Sequence, residues 1–390
     1  MSVDSQALNP SSQEVPLSFP ALHAYPKKRL ALGVTSVGLI VCLAAWVWLT
    51  GYNGKFLSDL QERGWPEISA LLVVVLLHGV LMFPLDWLGG ARLPRQYQLD
   101  YRITRMNYVK AVIWHGGIWF ATISLIHQAG ALAGLPGALL ALLSIMALGI
   151  AFQGTLALRI GSFRKGFQEP TQGIIPTHAL HSEDPAFSGG ITGLPGQERL
   201  VIPAKWQTTL GTDAWKICME RRNQIHHQGL RNQGLIGAIL WNLIGFVLAA
   251  TLAGFPQQGM RSTLDLICLS TLWHFLGLLM LPSWSQRATH HLDFVMQSQS
   301  HRETLFGDWL MKVNDLVEGE KARKPWVEKI FHPTPSVVNR IKQARRYRWA
   351  PWHIARMMLY LSWLNGGLLS RSVHCNIGRP NLWVMTPTDG

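Results

Sequence analysis

The chain has 390 residues, of which 48% are hydrophobic, 17 are Trp and only 15% are charged. Soluble domains average about 25% charged residues. This depletion, with a mean hydropathy of +0.15, excludes a disordered chain, a collagen and a coiled coil, and it favours a polytopic membrane protein. The four Cys are widely spaced with no C-x-x-C pair, which argues against a disulfide framework and a zinc finger.

Polar and apolar stretches alternate along residues 1–282. Residues 1–26 are polar and rich in Ser and Pro, and they are predicted to be a disordered cytoplasmic tail. Six apolar runs follow, each close to the roughly 20 residues that cross a bilayer core. They are Leu30–Tyr52, Ile68–Leu88, Val109–His127, Leu135–Leu158, Leu235–Gly254 and Leu264–Pro282. We therefore predict transmembrane helices 1–4 within residues 27–158 and helices 5–6 within residues 235–282.

Lys and Arg are concentrated before the first run, between the second and third, after the fourth and after the sixth. The positive-inside rule then places both termini and the polar segments 159–234 and 283–390 in the cytoplasm. We expect an integral protein of a bacterial inner membrane. The net charge of +13 follows from this topology, so anionic lipid headgroups are the expected partner of the basic stretch Arg340–Arg348, and no nucleic acid is expected.

The segment 159–234 reads as a strand pair followed by a helix. Ala186–Thr192 and Arg199–Pro203 are predicted strands, and the Gly-Leu-Pro-Gly-Gln sequence between them is a predicted turn. Thr212 and Asp213 are predicted to cap a helix that runs to about His227 and ends at Gly229.

The segment 283–390 reads as helical. Helices are predicted over Gln286–Glu318 and Pro335–Arg345, and the two polar segments are expected to pack together. The apolar stretch Trp352–Leu369 is short for a span and is interrupted by two Gly, so it is predicted to be an interfacial or docked helix, with a seventh crossing as the alternative. His78, His115 and His274 lie in or near the spans, where each is a functional-site candidate or a cross-helix hydrogen-bonding group. Asp86, at the end of the second span, is predicted to be interfacial.

The order of these elements resembles the CAAX prenyl protease and HtpX family of integral-membrane zinc metallopeptidases. The matching residues are Pro185–Gly190, Leu200–Pro203, Leu210–Trp215, the upstream Leu93–Asp100, and the downstream Phe331-His332-Pro333 with Arg340-Ile341. The resemblance implies a mainly α membrane bundle of about six spans with a small cytoplasmic α+β metallopeptidase-like domain.

The resemblance also implies a catalytic arrangement. In that family an extended peptide adds a strand to the strand pair, which makes Phe187, Gly189, Gly190 and Val201 candidates for a peptide-binding edge. The following helix carries H-E-x-x-H, in which two His bind zinc and the Glu is the general base. A third ligand comes from an E-x-x-x-D pattern after two further spans.

This sequence departs from that pattern. The H-E-x-x-H positions hold Arg221, Arg222 and Ile225, and the third-ligand position falls near His290. Sliding the motif by one residue restores only one His, His226, and still lacks the Glu. Because Arg stays protonated it cannot act as a base, so we predict no catalytic residue, no resident metal or other cofactor, and a scaffold that binds a peptide or a membrane-protein partner.

Two alternatives remain open. His226, His227, His290 and His291 are weak candidates for a noncanonical zinc site in an active metallopeptidase. The chain is also compatible with a structural subunit of a larger membrane complex.

Overall fold

The structure is a computed structural model that describes residues 19–99, 104–161, 163–168, 175–298, 303–317 and 319–385. Within this part of the chain, five helices are long and apolar enough to cross a membrane. They are α1 (Phe19–Leu49), α3 (Ser69–Trp87, continued to Gln96 by a π-helical turn and the short α4, Leu93–Gln96), α5 (Arg105–Ala151), α9 (Leu230–Leu252) and α10 (Gly259–Ser298). The predicted polytopic helix bundle is confirmed.

Helix α5 combines two of the predicted spans. It has 47 residues, about twice the length needed for a bilayer core. Ala133 and Gly134 leave helical geometry in its middle, and Gly134 has a φ of 63°. Glycine adopts this conformation without steric cost, so the chain reverses there between the third and fourth apolar runs.

The N-terminal tail is shorter than predicted. Residues 1–18 lie outside the described residues, but α1 already begins at Phe19, so the predicted disorder over 19–26 is wrong. The reason is tertiary packing, since Tyr25 is buried. The centre of its ring lies 5.4 Å from the centre of the Tyr97 ring in an edge-to-face arrangement, and its hydroxyl accepts a hydrogen bond from Arg379 at 2.7 Å.

The strands form one four-stranded sheet in the order β1-β2-β4-β3. Its strands are β1 (Arg164–Gln168), β2 (Thr177–His181), β3 (Gly190–Thr192) and β4 (Arg199–Pro203). The predicted β4 is confirmed, whereas only the last three residues of the first predicted strand are extended. β3 and β4 pair antiparallel across the predicted turn, with Gly190 opposite Val201. β2, which was not predicted, runs parallel to β4.

The remaining helices are short. They are α2 (Tyr52–Glu62), α6 (Gln153–Ile160), α7 (Trp206–Leu210), α8 (Thr212–His227), α11 (Glu303–Leu316), α12 (Pro325–Phe331), α13 (Val337–Lys342) and α14 (Ile354–Leu364). The two polar segments pack together as predicted, because α11 of the second segment lies on α7 and α8 of the first.

The C-terminal part of the chain lies inside the bundle. In residues 350–385 every side chain is buried except those of Leu368, His374 and Cys375. α14 has 11 residues, too few to cross a bilayer core, and it packs against α5, α9 and α10. The predicted interfacial position of Trp352–Leu369 is therefore wrong, and the alternative of a docked helix is right. Hydrogen bonds hold the segment in place, including Tyr360 to the Gly149 carbonyl at 2.6 Å.

Candidate functional site

Helix α8 carries the positions where the family's metal motif would lie. It ends as predicted, since Gly229 adopts the left-handed conformation with a φ of 63°. Its N-cap is Gly211 rather than Thr212 or Asp213, and no side chain caps it. Arg221, Arg222 and Ile225 are all buried.

Arg221 belongs to a buried cluster with Asp293 of α10 and Arg340 of α13. The Oδ1 atom of Asp293 accepts a hydrogen bond from Nη2 of Arg221 at 3.2 Å and another from Nη2 of Arg340 at 2.9 Å. Its Oδ2 atom accepts from Nε of Arg340 at 2.9 Å. The Asp293 side chain is fully buried. Both carboxylate oxygens are therefore engaged by permanent cations in a fork geometry.

Trp309 of α11 lies beside both guanidinium groups. The Cζ atoms of Arg221 and Arg340 are each 5.6 Å from the centre of its ring. A guanidinium over an indole face is attracted by the ring quadrupole. Three charged side chains and one ring thus connect α8, α10, α11 and α13. We call the four residues, Arg221, Asp293, Trp309 and Arg340, the Asp293 cluster.

Arg222 points away from the Asp293 cluster. Its Nη2 atom donates to the carbonyl oxygen of Ser188 at 2.8 Å, and its Cζ atom is 5.1 Å from the centre of the Trp206 ring. The backbone before β3 is thus held by the residue that stands at the family's Glu position. Ile225 is part of the main hydrophobic core.

The four His candidates do not converge. Nδ1 of His226 is 3.8 Å from Oε1 of Glu198, and the side chain of His227 is exposed. Both nitrogens of His291 are engaged: Nδ1 accepts from the Tyr347 amide at 3.0 Å, so Nε2 donates to Oε1 of Gln228 at 2.7 Å. His290 is buried, and its Nδ1 has no hydrogen-bond partner in the described residues.

These residues do not fit a zinc ion. A hydrolytic zinc site needs about three N, O or S donors and an open position. Arg221 and Arg222 offer no lone pair, Ile225 offers no polar atom, and the oxygens of Asp293 are occupied by guanidinium groups. Across the described ranges, no group of three His, Cys, Asp or Glu side chains is placed to hold a metal ion.

The predicted peptide edge is buried. Phe187, Gly189 and Gly190 are inaccessible, although Gly190 does lie on the edge strand β3. Val201 lies on β4, which is paired on both sides, so its assignment to an edge is wrong. The hairpin is clamped at both ends, since Arg222 donates to Ser188 and Arg231 donates to the carbonyl of Gly193.

A cavity of about 450 Å³ lies beside this hairpin. It separates the sheet from the end of α5 and from α6. Its lining includes His178, Leu180, Thr192, Arg199 and Gly154. Because β2 and β4 are interior strands, the cavity opens over a face of the sheet rather than along its edge. Its size falls within the range of about 300–1,000 Å³ that is typical of ligand pockets.

The titratable groups inside the bundle hold the C-terminal segment. Asp86 is buried rather than interfacial, and it accepts hydrogen bonds from Arg371, from Tyr108 at 3.1 Å and from the Gly378 amide. His274 of α10 forms a cross-helix hydrogen bond to Asn242 of α9, as one of the two alternatives predicted. His78 and His115 instead form hydrogen bonds with the Leu368 carbonyl and the Ser370 hydroxyl, which lie in the irregular segment after α14.

The basic stretch 340–348 divides into two parts. Arg340 is buried in the Asp293 cluster, so it cannot meet lipid headgroups as predicted. Lys342, Arg345, Arg346 and Arg348 remain exposed.

Sequence reasoning missed Asp293 and Trp309 as site residues. A signal for Asp293 existed, because the E-x-x-x-D pattern ends in Asp, and counting back four residues puts Thr289 rather than His290 at the Glu position. No local signal marked Trp309, which is one of 17 Trp.

The solved structure of Ste24p from S. mikatae has the same fold. It matches with a TM-score of 0.56 at 11% sequence identity, over 84% of this chain and 98% of that chain. No protein-family model and no curated protein matches the chain. Ste24p is a CAAX prenyl protease, so the predicted resemblance to CAAX prenyl proteases is confirmed at the level of architecture, whereas the resemblance to HtpX stays a prediction. At this identity the likeness establishes the fold alone: this chain is an integral membrane protein with the fold of Ste24p.

Proposed function

We propose that this protein is a membrane-embedded homologue of zinc metallopeptidases that does not hydrolyse peptides and instead binds a peptide. The observation that carries the proposal is the Asp293 cluster. At the position expected for the first zinc ligand, Arg221 shares the buried Asp293 carboxylate with Arg340, and the position expected for the base holds Arg222. Like charges repel at such distances, so a dication would have to displace the cluster before it could bind.

The 450 Å³ cavity beside the β3–β4 hairpin is our candidate for the peptide site. Its walls combine apolar and polar groups, from Leu158 and Leu180 to His178, Gln197 and Arg199, as expected for a site that accepts a backbone and side chains together. The clamps on Ser188 and Gly193 keep the hairpin rigid without any peptide bound, and a preformed site costs less ordering entropy on binding.

Zinc content tests the catalytic half of the proposal. We expect purified protein to contain far less than one zinc per chain and to leave a prenylated C-a-a-X peptide intact. Stoichiometric zinc that disappears when His226, His227, His290 and His291 are replaced, together with hydrolysis, would establish the active metallopeptidase instead.

Cavity filling tests the binding half. Gly154 lines the cavity, and a Cβ there would meet only Oγ1 of Thr192, at 3.5 Å. We expect Gly154→Leu to weaken binding of a fluorescent prenylated C-a-a-X peptide at least tenfold. The matched control is Gly307→Leu, because Gly307 lies on α11 with open space around it. Equal binding by both variants would refute this site, and fixed-stoichiometry membrane proteins in the purified sample would favour a structural subunit.

A further inference from the structure

An apolar groove of about 200 Å³ opens between α1 and α10. Its walls include Val34, Val37, Phe275, Leu279 and Leu359. Val34 and Leu279 are 46% and 41% exposed on the surfaces of spanning helices, so the groove opens toward lipid. We call it the α1–α10 groove.

One end of the groove runs into a second cavity, of about 170 Å³, with a very different lining. Four guanidinium groups reach this cationic cavity, those of Arg29, Arg323, Arg356 and Arg379. The two cavities share Pro333, Arg356, His374 and Cys375 in their walls. An apolar channel therefore leads from the membrane directly to a cluster of cations.

Two carboxylates lie near these cations, and one of them belongs to Glu320, which also lines the cavity. Arg323 is paired with Glu320 at 2.8 Å, and Arg379 lies 3.7 Å from Asp184. Arg29 donates to the carbonyl oxygens of Gly89, His374 and Ile377.

Arg356 donates to Cys375 Sγ and to Oδ1 of Asn376. Both are neutral acceptors, and no carboxylate in the described residues pairs with Arg356. The cavity thus retains positive potential that a bound anion would neutralise.

The two His residues of the cavity are compatible with an anion. The rings of His332 and His374 are 4.9 Å apart. Burial, and then the charges of Arg29, Arg356, Arg323 and Arg379, lower the pKa of His374 to about 3. Burial and the proximity of His374 and Arg323 also lower the pKa of His332. Both imidazoles are therefore neutral at pH 7, and each can donate one hydrogen bond.

The position along α1 indicates the kind of anion. Arg29 ends the Lys27-Lys28-Arg29 triplet that directly precedes the apolar part of α1, which is the depth of lipid headgroups. Basic pockets between spanning helices are suited to phospholipid headgroups, and guanidinium groups match phosphate oxygens in a fork geometry.

We propose that this composite site binds one anionic phospholipid, with an acyl chain in the α1–α10 groove and the phosphate in the cationic cavity. The proposal is independent of the peptide site, since the two share no residue.

Native mass spectrometry of the detergent-purified protein, with added phosphatidylglycerol, phosphatidylcholine or inorganic phosphate, tests this site. We expect one phosphatidylglycerol per chain and little phosphatidylcholine. Gly38→Leu blocks the groove without a clash, because Gly38 lines it and a Cβ there meets nothing within 4 Å. This variant should lower occupancy at least tenfold. Gly79→Leu is the control, since Gly79 lies on α3 and also has open space around it.

The headgroup half is tested by removing one charge. Arg323→Gln should weaken phosphatidylglycerol binding about fivefold, whereas Lys329→Gln on α12, an exposed residue outside both cavities, should leave it unchanged. Equal occupancy in wild type and Gly38→Leu, or equal binding of phosphatidylcholine, would overturn the proposal. Inorganic phosphate that binds as tightly as phosphatidylglycerol would also overturn it, because the acyl chain would then contribute nothing.

Discussion

The Asp293 cluster makes a sharp prediction for Asp293→Asn. This isosteric change removes the only negative charge from a buried group that also contains Arg221 and Arg340. Removing one partner of a buried ion pair leaves uncompensated charge and costs about 3–5 kcal/mol. We expect a loss of that size in the free energy of unfolding. The partly buried pair of Glu320 and Arg323, with side chains 20% and 12% exposed, is more accessible than the Asp293 cluster and gives the control Glu320→Gln, which should cost about 1 kcal/mol.

The assay is denaturation of the purified protein by SDS in mixed micelles, followed by Trp fluorescence, which also reports on Trp309 inside the cluster. A second variant ranks the charges: Arg221→Gln leaves the two-bond pair of Asp293 with Arg340 intact, so it should cost less than Asp293→Asn. The reasoning is refuted if Asp293→Asn is no more destabilising than Glu320→Gln, or if Arg221→Gln is the worse of the two.

Three further predictions concern the bundle. A Cβ at Gly90 would overlap the carbonyl oxygen of Gly378, so Gly90→Ala should lower the free energy of unfolding by about 1–3 kcal/mol in the same SDS titration. The control Gly79→Ala should leave that free energy unchanged. Equal stability of the two variants would mean that the C-terminal segment does not pack against Gly90. Because the folded pKa of His374 is about 3 against 6.5 unfolded, the unfolded chain binds more protons below pH 6.5, and stability falls as pH drops. From pH 7.5 to 5 this residue should account for a loss of about 2 kcal/mol that is absent in His374→Asn, and an identical pH profile in that variant would contradict the assignment. If both termini are cytoplasmic, a single Cys introduced as Ser58→Cys in an otherwise Cys-free chain should react with an impermeant maleimide added outside intact cells. A single Cys introduced as Lys324→Cys should react only after lysis. The reverse pattern of labelling would mean that the topology is inverted.

The sequence anticipated those features that depend on local pattern. The apolar runs predicted the spanning helices, and the turn residues predicted the β3–β4 hairpin, because each of these signals lies within about 20 consecutive residues. The break at Ala133 and Gly134 likewise coincides with the gap between two apolar runs. The substitution of Arg221 and Arg222 for metal-site residues could also be seen directly, once the resemblance supplied the register.

The interfacial position predicted for the C-terminal segment was wrong because the segment finds distant partners inside the bundle. The short apolar run, interrupted by two Gly, predicted a surface position. Arg371 and Arg379 follow that run, and such charges are costly inside a bundle unless they are paired. Asp86 and Asp184 stand near those arginines in the fold, 285 and 195 residues away in sequence. No local pattern encodes such pairs.

By itself, the sequence indicated that this chain spans a membrane and that Arg221, Arg222 and Ile225 stand where the resemblance expects H-E-x-x-H. Both conclusions rest on the chemistry of single residues and on hydrophobic runs. Only the tertiary structure decided that Asp293 is held between Arg221 and Arg340, and that residues 350–385 fill the bundle. The physical reason is that the stability of a buried charge depends on which groups surround it, and those groups come from α8, α10 and α13, which meet only after folding.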